Sequence, residues 1–179
     1  MARVVAFLRG INVGGRVVKK EALKVAFLSL GFENVVTYKQ SGNVIFETTN
    51  APSTKLKEKI ETKLKTDLGY QVAVLLRTID QLRSIIGQDP LKLVNQSGSS
   101  FLVTLIPAVQ TTISWNLPLT IPKSSAQIIS AKGDEVYSVT HGGGEGALPN
   151  PFVESMLRVK ATTRNFNVIR EIVEKYGQS

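Results

Sequence analysis

Three polar stretches carry the residues whose types and spacing suit chemistry. The first is Arg9-Gly10-Ile11-Asn12-Val13-Gly14-Gly15-Arg16, which leaves an apolar segment and leads into a helical pattern. Glycines permit positive φ and close backbone approach, so amides in such a loop can converge on an anion. Arg9, Arg16, Lys19 and Lys20 add positive charge. The spacing matches neither the dinucleotide fingerprint nor the Walker pattern, so no nucleotide specificity follows. The alternative is a structural loop whose glycines serve tight turns. The second stretch is Thr37-Tyr38-Lys39-Gln40-Ser41-Gly42-Asn43. Tyr38 and Gln40 share a strand face and can present a hydroxyl and an amide to a ligand, or satisfy buried partners instead. Ser41-Gly42-Asn43 is what a tight hairpin wants. The third is Thr162-Thr163-Arg164-Asn165. Asn165 suits a helix N-cap; Arg164 beside it can help hold an anion or pair with an acidic residue of the other half. The candidate ligand-binding set is therefore Arg9, Gly10, Asn12, Gly14, Gly15, Arg16, Tyr38, Gln40, Ser41, Asn43, Arg164 and Asn165.

Composition removes several chemistries. The 179 residues include no cysteine and a single histidine, His141. Disulfides, cysteine zinc sites, thiol nucleophiles and iron–sulfur clusters are excluded, and no multi-histidine metal site can form. His141 precedes Gly142-Gly143-Gly144-Glu145-Gly146, which reads as an exposed loop before it reads as a catalytic base with a lid. No nucleophile–base–orienter set is visible, so no catalytic residue, metal or cofactor is assigned. No apolar run approaches the roughly 20 residues that span a bilayer, and no signal-peptide pattern precedes the fold. The expectation is a cytoplasmic protein with no membrane partner.

Elements must position these stretches. Residues 3–9 read as a buried strand, and 19–30 as a helix with Leu23, Ala26, Phe27 and Leu30 on one face and Gly31 at its end. Strands follow near 34–40 and 43–48. Pro52-Ser53 opens a helix striped by Leu56, Ile60, Leu64 and Leu68 and closed by Gly69. A strand at 71–77 leads to Thr78-Ile79-Asp80-Gln81, a capping-box pattern before a helix carrying Leu82, Ile85 and Ile86. The second half repeats the order: strand 101–106, a Pro-bounded segment near 108–118 holding Trp115 as a packing anchor, strands 126–131 and 135–140 around Lys132-Gly133-Asp134, a short helix 151–157, strand 158–162 and helix 165–176. A shift of 87 residues places Arg77 on Arg164 and Leu82 on Ile169; a shift of 91 places Gly42 on Gly133. The reading is α+β: two tandem ferredoxin-like (split βαβ) halves with mainly antiparallel sheets. Residues 1–88 form the first, 89–100 the linker, and 101–179 the second, packed on the first.

Net charge is +8, and it is uneven: residues 1–90 hold 14 Lys/Arg against 8 Asp/Glu, residues 91–179 hold 8 against 6. Lys55, Lys57, Lys59, Lys63 and Lys65 with Glu58 and Glu61 read first as a salt-laced, solvated helix face. They read second as a footprint for phosphates, without the interleaved aromatics of a stacking surface.

RGINVGG, TYKQSGNVIFE and TTRNFN, in that order, resemble domain-of-unknown-function family 1697, over essentially the whole chain. The resemblance implies a whole-chain α+β fold and no activity. It places the family's recurring positions on Arg9, Gly10, Asn12, Gly14, Gly15, Thr37, Tyr38, Ser41, Gly42, Asn43, Phe46, Thr163, Arg164 and Asn165. Two departures stand out: Phe166 and Val168 replace the family's Trp and Thr, and HGGGEGALPN replaces a Gly–Ser–Lys type loop, which argues against a ligand role there. The function expected is a binding protein for a phosphate-bearing or other anionic small molecule. The alternatives are a nonspecific nucleic-acid-binding protein, an enzyme of unknown class, or a structural partner.

Overall fold

A computed structural model describes residues 1–12, 14–15, 17–39, 42–88, 99–108, 113–141 and 148–178. These form an α+β protein with two antiparallel sheets and five helices among the described residues. The chain divides into two compact units, Met1–Leu82 with Lys175–Ser179, and Arg83–Glu174.

The first unit runs β1 (Ala2–Arg9), α1 (Lys20–Ser29), β2 (Glu33–Tyr38), β3 (Asn43–Thr48), α2 (Thr54–Leu68) and β4 (Ala73–Thr78), with sheet order β2-β3-β1-β4. Every neighbouring pair is antiparallel. Alternation along β1 turns Val4, Ala6 and Leu8 to the face that α1 and α2 cover with Leu23, Phe27, Leu56, Ile60 and Leu64. Phe27, Phe32 and Phe46 form an aromatic cluster there, with centroid separations of 5.9, 5.3 and 4.4 Å. Ser53 caps α2 by accepting from Leu56 N, and Gly69 closes it in the left-handed conformation. The capping box forms as its sequence implies: Thr78 N donates to Gln81 Oε1 and Gln81 N to Thr78 Oγ1, opening α3 (Ile79–Gly87).

At the outer end of this sheet, Arg3 donates to Glu47 Oε1 from Nε at 3.0 Å and from a terminal nitrogen at 2.6 Å, while Asn34 donates to Oε2. Hydrogen bonds from Arg3, then from Asn34, hold the Glu47 carboxyl below its ordinary pKa. A folded-state value below the unfolded one stabilises at neutral pH, and that contribution is lost as pH falls through the lowered value. Glu47→Gln is therefore expected to be less stable than wild type at neutral pH. The gap should begin to narrow as pH falls below the ordinary carboxylate value and close only below the lowered folded-state value, where both states of Glu47 are protonated. Denaturant titrations across pH check this; a gap independent of pH contradicts it.

The second unit contains β5 (Ser99–Leu105), β6 (Leu119–Thr120), β7 (Ala126–Lys132), β8 (Glu135–His141), α4 (Asn150–Leu157) and β9 (Thr162–Asn165), in the order β6-β7-β8-β5-β9. Its core gathers Ile106, Ile128, Val136, Val153 and Ala161, and Trp115 packs on Phe152 at 6.5 Å between centroids. α5 (Phe166–Tyr176) follows β9.

The main differences from the sequence reading lie in the second unit. Ser99 and Ser100 open β5, paired with His141 and Thr140, and do not belong to the linker; residues 89–98 lie outside the described residues. The strand expected at 158–162 sits at Thr162–Asn165, because Arg158 ends α4 with φ 54° and Ala161 N donates to Glu154 Oε1 instead of to the sheet. The two-residue β6 was not anticipated.

Candidate functional site

The first glycine-rich loop leaves β1 pinned at both ends. Ile11 and Val18 are buried in the helix-side core, and Asn12 Oδ1 accepts from Val18 N at 2.7 Å. Gly10, Gly14, Gly15 and Asn12 itself all have positive φ, which tightens the loop so that Val18 returns beside Asn12. The chain then enters α1 with Lys19 at the N-cap. Lys19 supplies no side-chain acceptor, so the first-turn amides have no side-chain cap.

The β2–β3 hairpin arrives at the same place. Leu8 N donates to Gly42 O at 2.8 Å, which extends the β1–β3 pairing past Asn43. The buried Asn43 donates from Nδ2 to Tyr38 O and locks the hairpin. Thr37 and Lys39 therefore line the space between hairpin and helix. The result is a cavity of about 530 Å³ lined by Asn12, Val17, Val18, Lys19, Lys20, Glu21, Leu23, Thr37, Lys39, Gly42 and Asn43. The volume lies within the roughly 300–1,000 Å³ of small-molecule sites. Among the described residues the lining carries three lysines and one glutamate, a positive balance of charge.

The first two sequence motifs thus converge, but only part of each meets the cavity. Asn12 and Asn43 line it. Arg9 and Gly10 lie half-buried beside the loop, while Gly14 and Gly15 are exposed, all four outside the lining. Tyr38 also stands outside it, because its neighbours in the alternation hold the cavity wall. Arg16, Gln40 and Ser41 lie outside the described residues. Lys39, Glu21 and Thr37 were not in the candidate set. Period-two alternation was the available signal, and the adjacent apolar pair Val35-Val36 obscured it: Val35 is buried and Val36 is not.

Arg164 and Asn165 belong to the second unit. Arg164 is buried and donates to Thr162 Oγ1 at 2.7 Å and Thr163 O at 2.9 Å; burial pulls its pKa down to about 10, so it stays charged at neutral pH. Asn165 Oδ1 accepts from Asn167 N, the capping contact at the start of α5. His141 is exposed with Nδ1 3.0 Å from Ser99 Oγ, and the glycine run after it, 142–147, lies outside the described residues.

The lysine-rich helix α2 is largely tied to its own surface. Lys63 bonds Asp67 at 2.8 Å, Lys57 lies 3.9 Å from Glu61, and Lys59 donates to Leu30 O with its Nζ 5.6 Å from the Phe32 ring centroid. Among the described residues no helix is long and apolar enough to cross a membrane, and no group of three or more His, Asp or Glu residues could hold a metal ion.

The family model described as "Protein of unknown function (DUF1697)" matches residues 1–137. The chain belongs to this family. The matched residues include the glycine-rich loop, the β2–β3 hairpin and every cavity-lining residue; Thr163–Asn165 lie beyond them. The chain is also similar to the solved structure of a conserved bacterial protein from Streptococcus pneumoniae, with a TM-score of 0.71 at 17% identity over 99% of each chain. That likeness concerns the fold alone. No curated protein matches the chain.

Proposed function

We propose that this member of the family is a binding protein for a small phosphate-bearing or otherwise anionic ligand, held in the cavity between the Asn12 loop, the start of α1 and the β2–β3 hairpin. The observation that carries this reading is the convergence of two separate sequence motifs on one cavity edged by Lys19, Lys20 and Lys39. The start of α1 adds first-turn amides and the positive end of its dipole, which favour an anion at that end of the cavity. Val17, Val18 and Leu23 give an apolar wall, and no aromatic residue occurs in the described lining. That lining suits a compact phosphorylated sugar or acid better than a base that must stack.

The same reading takes the two units as copies of one split βαβ design. Its support is topological and local. The order β2-β3-β1-β4 has a counterpart in β7-β8-β5-β9. Arg77 and Arg164 are both buried on the last strand of their sheets, each donating at 2.9 Å to the carbonyl of the preceding residue. Gly42 and Gly133 both take positive φ at the central hairpin. In this scheme the copies have diverged in charge, and the basic cavity belongs to the first.

A thermal-shift screen against sugar phosphates, nucleotides, short RNA and polyanions, at low and raised salt, tests the binding role. A ligand at 100 times its dissociation constant adds about 2.7 kcal/mol of stability. The expected result is stabilisation by a small phosphorylated compound that persists in salt and is lost in Lys39→Ala. Stabilisation only by polyanions, erased by salt, would assign the charge to nonspecific nucleic-acid binding. A flat response to every compound overturns the reading.

A further inference from the structure

Tyr38 lies between two cavity residues on the hairpin but makes its own contact elsewhere. Its ring meets Tyr176 edge-on, with centroids 5.9 Å apart. Lys175 Nζ stands 5.3 Å and Lys39 Nζ 5.6 Å from the Tyr38 ring centroid. Lys175–Ser179 cluster with the first compact unit, although β5 to β9 intervene in sequence. Arg3 of β1 fastens the backbone of that segment: a single guanidinium nitrogen donates to Tyr176 O at 2.6 Å and Gln178 O at 2.9 Å. The rest of that guanidinium is held by Glu47 of β3.

We propose that the segment Lys175–Gln178 is a positioning element of the ligand cavity, acting through the packing of Tyr176 against Tyr38. Side chains alternate along a strand, so fixing Tyr38 on one face of β2 sets where Thr37 stands on the other, and it anchors the backbone from which Lys39 leaves the strand. Lys39 has φ 54°, a left-handed conformation that a lysine keeps only where its surroundings determine it. The Tyr38–Tyr176 contact immediately before it, and the Asn43 bond to Tyr38 O, supply that determination. The ligand part of this inference rests on the anion-site reading above; the positioning part does not.

The test uses the full chain, with Tyr176→Ala and Tyr176→Phe, and two readouts. The first is hydrogen exchange of the Thr37–Lys39 and Gly42–Asn43 amides, with the buried β1 amides Val5–Phe7 as reference. The second is titration with inorganic phosphate. Tyr176→Ala is expected to speed hairpin exchange relative to the reference and weaken phosphate binding by about 2- to 10-fold, the size an aromatic pair supports. Tyr176→Phe should restore both, since it keeps the ring. Unchanged hairpin exchange, or equal acceleration of hairpin and reference, overturns the proposal. If wild type binds phosphate and Tyr176→Ala binds it equally, positioning fails while the site stands. If wild type does not bind phosphate, the site reading loses support and exchange alone decides positioning. Should Tyr176→Ala not fold, Arg3→Lys, which keeps the charge but loses the fork onto Glu47 and the two carbonyls, is judged by the same criteria.

Discussion

Gly42→Ala is expected to destabilise the protein by about 2–5 kcal/mol. Two costs add. Gly42 has φ 68°, where a residue with Cβ pays about 1–2 kcal/mol. A Cβ there would also stand 3.1 Å from Leu8 Cβ and 3.3 Å from both Ile11 Cβ and Leu8 O. These are strand backbone and buried side chains, so they give way only by shifting β1 or the loop, an overpacking cost of about 1–3 kcal/mol. Gly15→Ala separates the terms. Its φ of 80° is equally unfavourable, but nothing lies within 4 Å of the added carbon. Its cost should stay near 1–2 kcal/mol. Urea titrations measure both, and equal losses for the two variants would contradict the close-packing account of the hairpin.

Phe46→Ala should cost about 3–5 kcal/mol, the range for removing a buried aromatic side chain. Phe46 is fully buried, lies on β3 between β2 and β1, and touches both Phe32 and Phe27. Deleting it empties the centre of the helix-side core beneath the hairpin. Phe46→Leu keeps most of the volume and should lose less than half as much. A loss below about 1.5 kcal/mol for Phe46→Ala would mean that the site collapses around the gap and that the aromatic cluster is not what holds the sheet to its helices.

The local architecture was largely legible because its signals are local. The α2 stripe of Leu56, Ile60 and Leu64, its Ser53 cap and its Gly69 stop appear in the structure at the positions read from sequence. So does the Thr78–Gln81 capping box. Strand β9 was misplaced because Val159 sits in a short apolar alternation that also fits a strand; Arg158 in the left-handed region decides otherwise, and sequence does not advertise it. The site was legible as two motifs but not as a lining. Which face of β2 meets α1 depends on where the register shifts between Glu33 and Val36, a long-range property of the β2–β3 pairing. The sequence singles out Tyr38 for the hydroxyl it offers on one face with Gln40, whereas Thr37 and Lys39 line the cavity. The glycines of the first loop were read as anion-binding amides. Among the described residues the loop contributes Asn12, Val17, Val18 and Lys19 to the cavity, and the other lysines of the lining are Lys20 and Lys39.

The most direct test of the anion site is an amide-resolved NMR titration of the full chain with inorganic phosphate, followed by the best compound from the screen. Asn12, Lys19, Lys20, Glu21, Thr37, Lys39 and Gly42 should shift together, saturate with one dissociation constant, and keep shifting in raised salt. Shifts confined to the α2 face around Lys55, Lys59 and Thr62, or no saturable shift at all, would contradict the assignment of this cavity as the ligand site.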